Sequence, residues 1–140
     1  MKAVIYDRIP DCAREIRRKV FTEEQGFQNE FDETDLTATH IVLYDQNGLP
    51  VATCRVFRDD SGDSYILGRL AVLKEYRGQN IGSRMIREAE QYVRTQKGSC
   101  LMLHSQCRAS EFYRKSGFTE FGEIGDEEGC PHIWMRKSLA

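Results

Sequence analysis

The stretch of this chain best equipped for chemistry is Glu75-Tyr76-Arg77-Gly78-Gln79-Asn80-Ile81-Gly82-Ser83-Arg84. The apolar run from Ile66 to Leu73 precedes it, and Met85, Ile86, Ala89 and Val93 follow at helical spacing. A strand, a glycine-bearing turn and a helix in that order leave the first helical N–H groups without backbone partners. The helix dipole adds partial positive charge at the same point, so the junction suits a phosphate or pyrophosphate. Arg77 and Arg84 can add full charges beside it. Neither the G-x-G-x-x-G dinucleotide fingerprint nor the G-x-x-x-x-G-K-[ST] phosphate loop is present.

Other residues could move protons. Tyr113 lies in the helical pattern Ala109-Ser110-Glu111-Phe112-Tyr113-Arg114-Lys115-Ser116-Gly117-Phe118, where it either packs or offers its hydroxyl. His104 ends the apolar run Cys100-Leu101-Met102-Leu103. An imidazole titrates near neutrality and can act as a general base, and a strand-end histidine can equally be a hydrogen-bonded structural residue. Glu23, Glu24, Asp35 and His40 are further candidates for the base. A third charged group runs Arg17-Arg18-Lys19-Val20-Phe21-Thr22-Glu23-Glu24, with Asp32, Glu33, Asp35 and His40 after it. It is either a solvated face or one wall of an acceptor site.

The elements that must position these groups follow from the chain in order. Residues 2–7 read as a strand, and Pro10 opens a helix over 11–25 with Ala13, Ile16, Val20 and Phe21 on its apolar stripe. Residues 25–35 have no clean period and form a loop with at most a helical turn. Strands over 40–45 and 51–57 flank the hairpin signal Asn47-Gly48. Asp60-Ser61-Gly62-Asp63 turns into a strand over 64–73. A long helix over 82–97 stops at Gly98 in the usual C-terminal glycine position. A strand over 100–104 leads to a helix over 107–116, and two last strands, near 118–124 and 132–138, flank the turn 125–129. This order gives an α+β fold with helices on a mixed sheet. Trp134 and Phe57 read as core.

A chain of 140 residues makes one domain, residues 1–140. Its 40% hydrophobic and 30% charged content are those of a soluble globule, and a net charge of −2 argues against nucleic acid as a partner. No apolar run is long enough to span a membrane, and residues 1–7 lack a signal peptide's apolar region. The five cysteines include no C-x-x-C pair, so neither a zinc site nor a disulfide framework is expected. Reduced thiols point to the cytoplasm. Cys54 and Cys100 read as core, and Cys107 lacks the base partner that an acyl-cysteine route needs.

The run Arg77-x-x-Asn80-x-Gly82 resembles the Gln/Arg-x-x-Gly-x-Gly/Ala signature of the GCN5-related N-acetyltransferases, the GNAT family. Asn80 replaces the first signature glycine, and asparagine is among the less costly residues at positive φ. The segment 109–118 resembles the family's A-x-x-F-Y-x-x-x-G-F helix at every defined position. With the order of elements, the resemblance covers residues 38–138. Farther upstream, Arg17-x-x-Val20-Phe21 is similar to an uncharacterised bacterial branch of the family.

The resemblance implies a sheet of six to seven strands in which 66–73 and 99–104 splay apart around acetyl-CoA. Backbone groups of Leu70, Ala71 and Val72 would bind its pantetheine like an added strand. Arg77, Gly78, Gln79, Asn80, Ile81, Gly82 and Ser83 would hold its pyrophosphate. Gln106 stands where relatives carry a pantetheine-binding Asn, and Tyr113 where they place the general acid. Arg17, Phe21, Glu24, Asp35 and His40 would cover the acceptor side, their acids favouring a cationic amine. The implied reaction moves an acetyl group to a primary amine of a small molecule or peptide, with the oxyanion held by the Val72 N–H. A non-catalytic acyl-CoA sensor and an acyl-homoserine-lactone-synthase-like acyltransferase are the competing readings. No metal and no membrane partner is expected, and a homodimer is an open alternative.

Overall fold

In the computed structural model the described residues are 1–28, 30–60 and 62–140, so the readings of Asn29 in the acidic loop and Ser61 in the turn lie outside them. Among the described residues seven strands form one sheet in the order β1-β2-β3-β4-β5-β7-β6. They are β1 (Lys2–Tyr6), β2 (Thr39–Tyr44), β3 (Pro50–Arg58), β4 (Ser64–Val72), β5 (Cys100–Gln106), β6 (Thr119–Glu127) and β7 (Cys130–Ser138). Helices α1 (Asp11–Arg17), α2 (Ile81–Thr95) and α3 (Ser110–Lys115) complete it. Every neighbouring pair of strands is antiparallel except β4 and β5. The Asn47-Gly48 hairpin forms as its sequence predicts, with Gly48 at φ +79° and Asp45 Oδ1 accepting from the N–H groups of Asn47 and Leu49.

One face of the sheet carries α2 and α3. Ile81, Met85, Ile86, Ala89 and Val93 of α2 pack there with Leu67, Leu101, Leu103, Met135 and Phe118. The opposite face carries α1, whose Ile16 joins Val20 and Ala71 in a separate cluster, flanked by Phe21 and Leu73. The helical stripe read over 11–25 divides, because after Arg17 the chain widens into a π-helical segment, Arg18–Glu24. The helix read over 107–116 likewise begins as a 3₁₀ turn, Cys107–Ala109, before α3.

Two features of the chain ends differ from expectation. The left-handed residue after α2 is Lys97, at φ +64°, rather than Gly98. Gly98 N–H bonds to the Val93 carbonyl and Lys97 N–H to that of Arg94, the paired bonds of a Schellman cap. Gly98 is required for space: a Cβ there would lie 2.5 Å from Val93 Cγ1 and 2.7 Å from Tyr65 Cδ1. The last hairpin is also tighter than the five-residue turn 125–129. β6 runs on to Glu127, and Glu128 (φ +49°) with Gly129 (φ +80°) closes a two-residue turn in the left-handed conformation such turns require.

β4 carries the irregularity that shapes the sheet. Its register with β3 shifts between Thr53↔Ala71 and Arg55↔Gly68, so two residues, Arg69 and Leu70, oppose Cys54. Arg69 sits at φ +50°, and the extra residue makes a β-bulge. Residues four apart on a regular strand share a face, yet Leu67 packs toward α2 while Ala71 packs toward α1.

Arg17 of α1 and Glu30 and Asp35 of the acidic loop turn inward. Arg17, 1% exposed, donates to Glu30 Oε1 at 2.7 Å and to both oxygens of Asp35 at 2.7 and 3.0 Å. Arg55 of β3 donates to Asp35 Oδ1 and to both Asp32 oxygens. Arg69 at the bulge reaches the Glu30 carbonyl at 2.8 Å and Asp32 Oδ2 at 3.3 Å. His40, also buried, donates from Nε2 to the Asp35 carbonyl, and burial lowers its pKa. Arg17, Asp35 and His40 therefore do not face an acceptor; a buried charge needs its partners, and these supply one another. Burial resists ionisation of Asp35, but hydrogen bonds from Arg17, the Asp32 N–H and Arg55 hold its pKa far below the ordinary range. At Glu30 burial wins over the arginines and raises the pKa.

Arg17→Ala removes the buried partner that Glu30 and Asp35 share, leaving Glu30 with Arg69 alone and Asp35 with Arg55 alone, and is expected to lower stability by about 3–5 kcal/mol, read by urea unfolding. Asp32 and Asp35 titrate below their unfolded values, so the stability they supply is present at neutral pH. It should be lost as pH falls through and below the ordinary carboxylate range, and the Arg17→Ala protein should show a shallower acid dependence.

Candidate active site

The parallel ladder between β4 and β5 runs only from Ser64↔Cys100 to Leu67↔Leu103. Beyond it β4 continues to Val72 along β3, while β5 continues to Gln106 along β7. The two strands part, and the facing backbone edges of Gly68–Val72 and His104–Gln106 share no ladder. The bulge at Arg69 lies at the start of this wedge and is fixed by Glu30 and Asp32.

At the end of β4 the chain passes through a 3₁₀ turn, Lys74–Tyr76, and enters α2. Asn80 caps the helix in the left-handed conformation, φ +61° and ψ 22°, and its side chain makes no capping bond. Arg84 N–H, bonded to the Asn80 carbonyl, is the first to close a helical turn. The N–H groups of Ile81, Gly82 and Ser83 are therefore left open at the helix start. Gly78 at φ +81° completes the turn. Gly82 has ordinary helical geometry, and its missing side chain serves a different end: a Cβ would lie 2.8 Å from Phe112 Cζ of α3.

Arg77 is already engaged. Its Nε donates to the Val72 carbonyl at 3.1 Å and its other nitrogens pair with Glu24 at 2.5 and 2.9 Å. The hydrogen bond to Arg77 lowers the Glu24 pKa. Glu24, expected on the acceptor side, thus ties the π-helical segment to the glycine turn. Phe21, partly buried, packs against the cluster of Ile16, Val20 and Ala71. Arg84 pairs with Glu88 one helical turn on.

Tyr113 of α3 packs edge-on against Phe112 and Phe118, and burial raises the pKa of its phenol. Its hydroxyl has no hydrogen-bond partner among the described residues, so its proton is uncommitted. Gln106 is committed: its Nε2 donates to Gln25 Oε1 at 2.8 Å, and its Oε1 accepts from Arg108 at 2.7 Å. It links the end of the π-helical segment to β5. Beside this link a cavity of about 400 Å³ opens between Gln25, Phe27, Cys107, Arg108, Glu128 and Cys130.

His104 projects from the face opposite Leu103, stacks on Trp134 at 4.8 Å and donates from Nδ1 to Glu127 Oε1 at 3.0 Å. Glu127 also meets His132, whose Nε2 lies 3.4 Å from its second oxygen. Trp134 is thus partly exposed beside His104 rather than sealed in the core. Phe57 is also only partly buried, with Arg55 over its ring at 5.6 Å. Reading the chain missed Phe112, Glu127 and His132. Glu128-Gly129 was the available signal, since a two-residue turn there makes Glu127 a strand residue opposite Cys130.

All five cysteines are free, no metal-binding cluster occurs among the described residues, and no described helix is long and apolar enough to cross a membrane. Residues 10–139 match the acetyltransferase (GNAT) domain. A candidate acetyltransferase of Bacillus subtilis (strain 168) is 39% identical over 142 residues, which cover 98% of this chain and 95% of that one. A candidate N-acetyltransferase from Lactobacillus plantarum superposes with a TM-score of 0.91 and 29% identity over 99% of this chain and 98% of that one. An aminoglycoside 6'-N-acetyltransferase solved with coenzyme A superposes at 0.79 with 18% identity, covering 100% and 98%. The chain belongs to the GNAT acetyltransferase family. It is an acyl-CoA-dependent N-acyltransferase.

Asn80→Gly should leave the turn intact, because glycine adopts the same left-handed conformation without strain. Asn80→Val should lower both melting temperature and acetyl-CoA affinity. Equal values for the two variants would show that the turn does not depend on residue 80. Gly82→Val should weaken acetyl-CoA binding at least tenfold, or about 1.4 kcal/mol, by calorimetry. Recovery in Gly82→Val/Phe112→Ala would assign the loss to displacement of the ring.

Proposed function

We propose that the protein transfers the acetyl group of acetyl-CoA directly to a primary amine of a small molecule or peptide, in a ternary complex and within a single domain. The observation that carries this reading is the wedge between β4 and β5, with an uncapped helix start and an uncommitted phenol beside it. These features fit the cofactor part by part. The unpaired edge of Leu70, Ala71 and Val72 can receive the pantetheine amides as a strand would. The open N–H groups of Ile81, Gly82 and Ser83 can receive the pyrophosphate, with Gly78, Gln79 and Asn80 shaping the turn. Arg77, held by Glu24, steadies the Val72 carbonyl at the edge of the wedge.

Acetyl-CoA supplies an activated acyl group, and the chain supplies position and protons. The Tyr113 phenol, like any ordinary tyrosine, is protonated at neutral pH, so it holds a proton for the departing thiolate. The Val72 N–H serves the oxyanion. The acceptor reaches the wedge from the α1 side, past the cavity beside Gln106. Glu30, Asp32 and Asp35 of the loop are spent on arginines, so they do not select a cation; Glu127 and Glu128 lie on this side. Five free thiols suit a reducing, cytoplasmic setting.

Tyr113→Phe should lower kcat on the best amine by roughly 10²–10⁴-fold, with acetyl-CoA affinity little changed. kcat and kcat/KM should fall together, because the interaction forms only in the transition state. Full turnover in the variant would remove Tyr113 from the mechanism. Stoichiometric acetyl-CoA binding with no transfer to any of a broad amine panel would overturn the transferase reading in favour of a sensor.

A further inference from the structure

We propose that His104 is the general base for the acceptor amine, with Glu127 and His132 as the residues that position it. This rests on the acetyltransferase reading and adds the group that takes the acceptor's proton.

Three observations carry it. His104 is the first residue of β5 past the last ladder pair, Leu67↔Leu103, so it stands where the wedge opens. Leu101 and Leu103 pack toward α2, and alternation along the strand sends His104 to the other face, with Gln106. Gln106 reaches Gln25 there, so His104 and the cavity of about 400 Å³ lie on the same side of the sheet. The imidazole is held on two sides, stacked on Trp134 and bonded to Glu127.

The hydrogen bonds fix which nitrogen is free. A carboxylate only accepts, so Nδ1 of His104 carries the proton in its bond to Glu127 Oε1. In neutral His104, Nε2 is then a bare lone pair, and it has no partner among the described residues. That is the state a base requires. His132 is locked the same way: its Nδ1 donates to the Cys130 carbonyl at 2.8 Å, and its Nε2 faces Glu127 Oε2 at 3.4 Å. This second contact becomes a hydrogen bond when His132 takes up a proton. The charged and titratable groups facing His104 are thus Glu127 from β6 and His132 from β7. Arg136 of β7 is turned onto Phe121 at 4.6 Å.

The protons balance. An ammonium acceptor sheds two protons in becoming an amide. One replaces the proton that Tyr113 gives to the thiolate, and His104 Nε2 takes the other. Glu127 stabilises the resulting imidazolium and, being half exposed, opens a way to solvent. The acceptor this suits is a primary amine that arrives as its ammonium and meets the Glu127 carboxylate.

Nitrogen-15 shifts of the histidine rings test the arrangement without turnover. Neutral His104 should be the Nδ1–H tautomer in the wild type. Glu127→Ala removes the acceptor, so the ring should move toward Nε2–H, and kcat/KM should fall at least about tenfold. Glu127→Gln keeps an acceptor without its charge: the tautomer and part of the rate should survive. His104→Ala should lose about 10²-fold or more in kcat with acetyl-CoA affinity unchanged by calorimetry. An Nε2–H tautomer in the wild type, or full turnover in His104→Ala, would overturn this role alone. A wild type that acetylates no amine would overturn the transferase reading and this role with it.

Discussion

Two strands that run in register and then part leave facing rows of backbone donors and acceptors without partners. That loss is the constraint on which this structure turns, because buried backbone groups are almost always paired. Ending the β4–β5 ladder at Leu67↔Leu103 is stable only if each strand is held from its other side. β3 holds β4 through the bulge to Val72, and β7 holds β5 to Gln106. On the proposed reading a strand-like ligand completes the arrangement, and the defect in the sheet is then the binding site itself.

The buried charges explain how the defect keeps its shape. Arg69, in a left-handed conformation that costs a non-glycine residue about 1 kcal/mol or more, is tied to Glu30 and Asp32. Those acids are fixed by Arg17 and Arg55, which also share Asp35. Replacing such a network by apolar side chains need not cost stability in general, since desolvation offsets much of the attraction. Here the network does something an apolar cluster could not: it joins α1, the loop before β2, and β3 to one strained residue at the mouth of the wedge. Among the described residues Glu30 Oε2 and Arg55 Nε have no hydrogen-bond partner, as a network shaped by position more than by saturation would show.

Much of this was legible in the residues. Asn47-Gly48, the alternating strands and the Met85-Ile86-Ala89-Val93 stripe are local signals, and each element formed within a few residues of its reading. The left-handed turn at Asn80 was also legible, because few non-glycine residues take that conformation cheaply. What stayed hidden depends on contacts distant in sequence. Arg17, Asp35 and His40 read as a solvated or ligand-facing set, since nothing local shows that Arg55, 20 residues after Asp35, arrives to neutralise it. The bulge at Arg69 looks in sequence like one polar residue in an apolar strand. Glu127 and His132 meet His104 only through the exact closure of the last hairpin, and there one residue of register decides which side chains share a face.

The central claim is that the unpaired edge of β4 and the start of α2 together receive one ligand. Hydrogen–deuterium exchange with and without acetyl-CoA measures it residue by residue. The account predicts new protection at Leu70, Val72 and Ile81–Ser83, with the β2–β3 ladder unchanged. Protection that leaves Leu70 and Val72 exchanging as fast as in the free protein, while acetyl-CoA is bound, would contradict it.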